Sequence, residues 1–174
     1  MRKLVVLSVA VFVFGLTSTL KAQQVSIYLN SLNGILAESN FDGGSRGGSL
    51  GVNYSNTLTN DLKWLGGAEL NTVSWGNNVV ANLGLIYTKE FAAKWSWSVS
   101  GLTQHGVALF KPNAFYTFSL SALGGIEFRI NEKSSIGLST GLRYYNCPEY
   151  SKYSLISSYL DFPVELSYRI KLKK

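Results

Sequence analysis

One histidine and one cysteine, His105 and Cys147, are the residues of this sequence with the most evident chemical potential. A single histidine excludes a multi-histidine metal site, and one cysteine cannot complete a zinc tetrad alone. We therefore expect no metal and no cofactor. Nucleophilic catalysis would need a hydroxyl within hydrogen-bonding reach of the imidazole. Ser98 and Ser100 are the candidates for that hydroxyl in an enzymatic hypothesis.

Two other features could be taken for functional sites. Residues 43–48 are glycine-rich and include Arg46, a composition that can hold an anion. They lack the strand–loop–helix context of a specific phosphate site, so a flexible hairpin connection is the better interpretation. The second feature is a set of scattered charges of both signs, which we expect to form a structural ion network because buried charges must be paired. Its members are Glu69, Glu127, Arg129, Arg143, Asp161, Glu165 and Arg169.

Apolar and polar residues alternate with a period of two along most of the sequence, which predicts β-strands. In residues 160–172 every even-numbered residue is apolar, and Pro163, which lacks a ladder donor, predicts a bulge there. The first strand, about 24–38, is irregular, and Asn33-Gly34 could instead form a hairpin turn. The alternating segments between these two are 50–55, 64–71, 81–90, 95–100, 116–130 and 136–144.

Turn-forming residues separate the eight predicted strands. Four connections, mostly the longer ones, are predicted at residues 40–48, 76–78, 104–113 and 146–154. Three shorter connections alternate with them, at residues 59–62, 89–94 and 131–134. Eight antiparallel strands whose two termini lie on the same side need four connections at the far end and three at the near end, which is the number predicted. Transmembrane barrels have short periplasmic turns and longer external loops, so we expect both termini in the periplasm.

The first 22 residues have the parts of a secretory signal peptide. Arg2 and Lys3 form the basic start, residues 4–16 are mostly apolar, and Ala22 is the small residue at the predicted cleavage position. The apolar run is shorter than the roughly 20 residues that a membrane-spanning helix needs. We therefore expect a signal peptide at 1–22 and a mature chain, residues 23–174, that forms one domain.

The charge of the mature chain argues against a nucleic-acid partner. Three of the 16 lysines and arginines lie in the predicted signal peptide, which leaves 13 cations against 10 acidic residues. Four of these cations are at the C-terminal end, namely Arg169, Lys171, Lys173 and Lys174, and the others are scattered. A nucleic-acid-binding protein would present a basic patch on one face.

Composition favours lipid over water as the solvent of the apolar face. Charged residues make up 15% of the chain, against about 25% in ordinary soluble domains. Aromatic residues near the predicted strand ends are expected to form two belts at the membrane surfaces. The belt at the short turns would comprise Trp64, Tyr87, Trp95, Trp97, Phe128 and Tyr168. The belt at the longer loops would comprise Trp75, Phe115, Tyr116, Tyr144, Tyr145 and Tyr159.

The signal peptide, the eight alternating strands and residues 159–170 resemble the small outer-membrane β-barrel proteins of Gram-negative bacteria, grouped as OmpA/OmpX-like or porin-family proteins. This resemblance of pattern covers essentially all of the mature chain. It implies an all-β fold, an eight-stranded antiparallel up-and-down transmembrane β-barrel in the cell outer membrane. Its partners would be outer-membrane lipids and the barrel assembly machinery. One departure is the C-terminus, since such barrels commonly end on an aromatic residue and this chain ends on Lys174.

Three functions are compatible with this architecture. We expect a non-enzymatic, monomeric envelope protein with a lumen filled by polar side chains and a structural or surface-interaction role. The first alternative is a lipid A-modifying enzyme, because residues 104–113 resemble lipid A deacylase barrels with a histidine near the outer strand end. That family has a serine two residues later, where this sequence has Val107. The second alternative is a narrow pore, although eight strands leave an interior that side chains fill.

Overall fold

The computed structural model describes residues 24–33, 46–73, 76–110, 113–149 and 158–172. The predicted signal peptide lies outside the described residues. The described chain is almost entirely β-strand, and it has no helix long and apolar enough to span a bilayer. Its strands are β1 (Gln24–Asn33), β2 (Arg46–Thr57), β3 (Leu62–Val73), β4 (Gly76–Ala92), β5 (Trp95–Phe110), β6 (Asn113–Arg129), β7 (Ser134–Asn146), β8 (Ser158–Asp161) and β9 (Val164–Lys171).

The strands form one closed antiparallel sheet. Each strand from β1 to β7 pairs with the next in sequence, β7 pairs with both β8 and β9, and β9 pairs with β1. Strands β8 and β9 together therefore make the eighth strand of the barrel. This confirms the predicted eight-stranded up-and-down architecture. Each strand from β1 to β7, and β9, has a hydrogen-bonded neighbour on both sides among the described residues, which is what a sheet surrounded by lipid requires.

Pro163 interrupts the eighth strand without changing its register. Arg143 of β7 pairs with Asp161 of β8, and Thr140 of β7 pairs with Val164 of β9. Both strands thus have two residues between these pairs, and no extra residue is inserted. The predicted bulge at Pro163 is wrong, because the proline removes a ladder donor without adding a residue. The register shift of the sheet lies instead on β4, between Glu90 and Ala92.

Two predicted connections proved to be parts of strands. Residues 76–78 begin β4, and residues 104–110 continue β5. Asn78 and Gln104, whose types suggested turns, are buried polar side chains of the lumen. The short turns at the opposite end agree with prediction, except that residues 89–92 belong to β4. Residues 34–45, which follow β1, lie outside the described chain.

The polarity of the barrel is inverted relative to that of a water-soluble protein. Leu120 and Val164 face outward, with 49% and 43% of their surface exposed, whereas Ser119, the neighbour of Leu120 on β6, is only 3% exposed. The same alternation recurs on the other strands. The outward-facing apolar residues include Ile27, Leu29, Leu50, Val52, Leu70, Val79, Leu83, Leu85, Val99, Ile126, Ile136, Leu138, Leu142, Leu166 and Ile170. An exposed apolar surface of this kind fits the hydrocarbon of a bilayer.

Candidate functional site

A buried carboxylate, Glu69 of β3, is the centre of the lumen. Its side chain accepts hydrogen bonds from the Tyr28 hydroxyl at 2.8 Å and from Gln104 Nε2 at 2.8 Å. Arg143 Nη1 lies 3.2 Å from Glu69 Oε1 and forms an ion pair with it. Glu69 and Arg143 are 3% and 4% exposed, so this ion pair is shielded from water. Breaking such a pair leaves an uncompensated buried charge.

Neutral side chains extend this centre to further strands. Asn82 Nδ2 donates to the Tyr28 hydroxyl at 2.5 Å and to Asn53 Oδ1 at 3.2 Å. Gln104 Nε2 donates to Asn82 Oδ1 at 2.9 Å, and the Ser119 hydroxyl donates to Gln104 Oε1 at 2.5 Å. The resulting lumen network has one member on each strand from β1 to β7, namely Tyr28, Asn53, Glu69, Asn82, Gln104, Ser119 and Arg143. Hydrogen bonds between side chains thus join seven consecutive strands around the barrel.

The eighth strand contributes a second buried carboxylate beside this network. Asp161 of β8 is the cross-strand partner of Arg143, and it is also buried. Nearer the loop end, Asn78 Nδ2 of β4 donates to the Tyr145 hydroxyl of β7 at 3.1 Å, a contact that crosses the lumen. The sequence placed Tyr145 in a membrane belt on the outer face. This prediction is wrong, because Tyr145 shares the inward face of β7 with Arg143.

An apolar layer lies on the short-turn side of the lumen network. Leu65, Ile86, Leu102 and Leu123 are buried together inside the barrel. The prediction of a polar lumen did not include this layer, although Ile86 broke the alternation of its strand. A cavity of about 40 Å³ borders this layer, and one of about 10 Å³ lies on the loop side of the lumen network. Volumes of this size hold about one to three water molecules and do not admit a hydrated solute.

Charged pairs occupy the short-turn end of the barrel. Arg169 and Glu127 form a half-buried ion pair, and the Ser135 hydroxyl also donates to Glu127. Lys63 Nζ donates to Gln24 Oε1 at 3.1 Å. The Glu69–Arg143 and Glu127–Arg169 pairs are two separate parts of the predicted structural ion network, whereas Glu165 of the same predicted set accepts a hydrogen bond from the Ser139 hydroxyl at 3.4 Å. Arg129 differs from that prediction, because it pairs with Glu90 at the exposed strand ends.

The enzymatic arrangement considered from the sequence is not formed. His105 is on the outward face of β5, whereas Ser98 is buried in the lumen and Ser100 shares its inward face. Side chains of opposite parity on one strand lie on opposite faces of the sheet. His105 instead contacts the hydroxyls of Thr103 and Tyr116, which sequence reasoning did not identify.

The other two features noted in the sequence, the single cysteine and the glycine-rich segment, do not form a binding site among the described residues. Cys147 is a buried thiol just after β7. The described part of the glycine-rich segment, residues 46–48, belongs to β2, and residues 43–45 lie outside the described chain. Among the described residues, no group of three or more histidine, cysteine, aspartate or glutamate side chains is arranged to hold a metal ion.

The aromatic belt at the short turns agrees with prediction. Trp95 packs on Phe128 with ring centroids 4.9 Å apart, and Tyr87 packs on Trp97 at 5.4 Å. Trp95, Trp97 and Tyr168 are exposed on the outer face.

The belt at the loop end agrees only in part. Tyr116 and Tyr144 face outward, whereas Phe115, like Tyr145, is buried in the lumen because odd-numbered residues in this part of β6 face inward. Trp75 and the side chain of Tyr159 lie outside the described part of the structure.

Known structures share this architecture at low sequence identity. Neisserial surface protein A aligns with 86% of this chain and 95% of its own, with a TM-score of 0.61 and 10% identity. Ail, the attachment invasion locus protein of Yersinia pestis, aligns with 84% of this chain and 97% of its own, with a TM-score of 0.51 and 15% identity. The fold is that of small outer-membrane barrels. No protein-family model and no curated protein sequence matches the chain.

Proposed function

We propose that this protein is a non-enzymatic, monomeric component of the bacterial outer membrane with a structural or surface-interaction role. The observation that carries the proposal is the lumen network, which joins polar side chains of seven consecutive strands and surrounds the buried Glu69–Arg143 pair. This arrangement fills the middle of the interior with side chains that bind one another. The barrel is then a rigid support whose remaining surfaces are its lipid face and its loops.

The lumen supports this role better than it supports transport. Side chains of the lumen network occupy the middle of the barrel, and the apolar cluster of Leu65, Ile86, Leu102 and Leu123 lies directly beside it. Water and ions would have to cross both layers. We therefore expect no single-channel current when the purified protein is inserted into planar bilayers, and a reproducible current would reject this part of the proposal.

The longer connections are the parts available for surface interaction. On the loop side, β3 and β4 are separated only by residues 74–75, and β5 and β6 only by residues 111–112. The longer connections of that side, 34–45 and 147–157, are the segments that we propose to face the exterior. The names of the two structural neighbours, a surface protein and an attachment protein, support an interaction role of this kind.

The structural and interaction roles can be separated in cells. In a deletion strain, a structural role predicts increased uptake of the hydrophobic probe 1-N-phenylnaphthylamine across the outer membrane. Wild-type protein and a variant with short turns in place of residues 34–45 and 150–157 should both restore the barrier. An interaction role predicts normal uptake, and attachment to a matrix-coated surface that only the wild-type protein restores.

The same strains test the absence of enzymatic activity. Lipid A from cells with and without the protein should give the same mass spectrum. A change in its acylation pattern that depends on the protein would reject a non-enzymatic role.

A further inference from the structure

A polar cluster interrupts the apolar outer face of the barrel. Thr103 Oγ1 lies 3.0 Å from His105 Nε2, and His105 Nδ1 lies 2.6 Å from the Tyr116 hydroxyl. Thr103 and His105 are on the outward face of β5, and Tyr116 is on that of the adjacent β6. We refer to Thr103, His105 and Tyr116 as the outer cluster. The wall of the barrel separates this cluster from the lumen network.

The outer cluster lies near the upper boundary of the membrane. Strand residues advance about 3.3 Å each, and a tilt of about 40° reduces this to roughly 2.5 Å along the barrel axis. His105 is eight residues beyond Trp97 of the short-turn belt, and therefore roughly 20 Å above it. The apolar band of an outer-membrane barrel is about 25 Å tall. His105 is thus close to the level where the acyl chains of the far leaflet meet their headgroups.

His105 also has an unusual position in electrostatic terms. Lys89 pairs with Trp97 at the level of the short-turn belt. The comparison above that level is made among the strand side chains that the structure describes. Apart from tyrosines, His105 is the only outward-facing side chain of this set that can carry a charge. A cation at a lipid-facing position needs a compensating partner. The aromatic neighbour Phe118, whose ring centroid is 5.1 Å away, does not provide a counter-charge.

The hydrogen bonds within the outer cluster leave at least one of its polar hydrogens without an acceptor in the cluster. With neutral imidazole, the three side chains carry three polar hydrogens and form two bonds with one another. One hydroxyl hydrogen is therefore left over, on Tyr116 or on Thr103 according to the tautomer. With imidazolium, both ring N–H groups donate to the hydroxyls, and both hydroxyl hydrogens are directed elsewhere. The cluster then presents two donors and a positive charge to the lipid.

We propose that Thr103, His105 and Tyr116 form a binding site for a phosphate oxygen of a lipid in the outer leaflet. A phosphate accepts hydrogen bonds from both hydroxyls and provides the counter-charge of the imidazolium, whereas an ester carbonyl provides only an acceptor. The site is independent of the structural or interaction role proposed above. It depends only on the placement of the barrel in a membrane.

Lipid retention tests this site. The full barrel is placed in nanodiscs made from equal amounts of phosphatidylglycerol and digalactosyl diacylglycerol, which has the same ester groups but no phosphate. Lipids that remain bound after release are counted by native mass spectrometry. We expect enrichment of phosphatidylglycerol in the wild-type protein and a reduction of at least about tenfold in the T103V/Y116F variant, since both hydroxyl donors to the charged phosphate are lost.

A matched variant and a second lipid make the result specific. Y144F removes another outward-facing tyrosine hydroxyl, which bonds Asn146 and lies outside the outer cluster, and it should leave the enrichment unchanged. Replacement of phosphatidylglycerol by a phosphorylated glucosamine lipid shows which phosphate source is preferred. Equal retention of both starting lipids, or an equal loss in Y144F and T103V/Y116F, would overturn the proposal.

A direct measurement does not depend on any variant. The chain has a single histidine, so ¹⁵N-histidine labelling gives one imidazole in solid-state NMR. Dephasing of its nitrogen signals by lipid ³¹P is expected in phosphatidylglycerol membranes. A signal that stays unaffected by ³¹P would contradict phosphate binding at His105.

Discussion

Removal of the buried carboxylate at the centre of the lumen, by Glu69→Ala, should be among the most destabilising substitutions in this barrel. Glu69 is the ion-pair partner of Arg143 and the acceptor for Tyr28 and Gln104. Loss of one member of a buried ion pair typically costs about 3–5 kcal/mol, because the other charge stays buried and unpaired. Asp161, opposite Arg143 on β8, remains as a second carboxylate. We therefore expect a loss near the lower end of this range, about 3 kcal/mol.

Urea unfolding in lipid vesicles, followed by tryptophan fluorescence, measures this loss as a difference in the free energy of unfolding. Glu90→Ala is the matched control, because Glu90 pairs with Arg129 at an exposed site where the side chains are 60% and 37% accessible. Exposed ion pairs contribute about 0–1 kcal/mol, so this variant should remain close to the wild type.

The double variant E69L/R143M distinguishes the contribution of the ion pair to the free energy of unfolding from that of side-chain packing. Replacement of both members by apolar residues leaves neither Glu69 nor Arg143 as an unpaired charge, but it also removes the cation opposite Asp161. The double variant should therefore recover part of the stability that either single change loses. The measured coupling between positions 69 and 143 should therefore exceed about 1 kcal/mol. Additive effects of the two changes, or a loss in Glu69→Ala no larger than that in Glu90→Ala, would refute the reasoning.

Three further predictions test other layers of the barrel. Leu83→Arg places a charge on the lipid face four residues, or roughly 10 Å, from the belt residue Tyr87 and therefore near the middle of the apolar band. It should reduce the free energy of unfolding in vesicles by about 2–4 kcal/mol, and a neutral effect would contradict the outward orientation. A Cβ at Gly106 would meet Val79 O at 2.1 Å, whereas one at Gly101 meets no atom within 4 Å. Gly106→Ala should therefore destabilise by about 1–3 kcal/mol and Gly101→Ala should not, as compared by urea midpoints. Serine at all four positions of the apolar layer should give measurable conductance in planar bilayers if that layer is what blocks the passage of ions. If this variant shows no conductance, the lumen network is the part that blocks ions. These positions are Leu65, Ile86, Leu102 and Leu123.

The strand architecture could be predicted because its signal is local. Alternation with a period of two records which face each residue occupies, and it does not depend on distant partners. Strand ends were harder to predict, because Asn, Gln and Gly are common both in turns and in a polar lumen. For this reason the sequence predicts connections at residues 76–78 and 104–110, which belong to β4 and β5.

The enzymatic hypothesis for His105 could have been rejected from residue parity. Trp95, Trp97 and Val99 put the odd-numbered residues of β5 on the apolar face. Extension of this strand by a few residues places His105 on the same face, and Ser98 and Ser100 on the opposite one. The identity of the Tyr116 hydroxyl as a partner of His105 depends in addition on the β5–β6 register, which the sequence pattern does not specify.

The lumen network could not be predicted either, because its contacts also depend on the register between strands. This dependence suggests a role of the network in folding. A slip of one strand by two residues moves it about 6.6 Å but returns every side chain to its original face. The lipid, which contacts a mainly apolar surface, would hardly distinguish the slipped barrel from the native one. Such a slip of β7 would, however, separate Arg143 from Glu69 and break the buried ion pair. We infer that alternation determines which face meets lipid, whereas the buried ion pair selects the register among barrels that are otherwise equivalent.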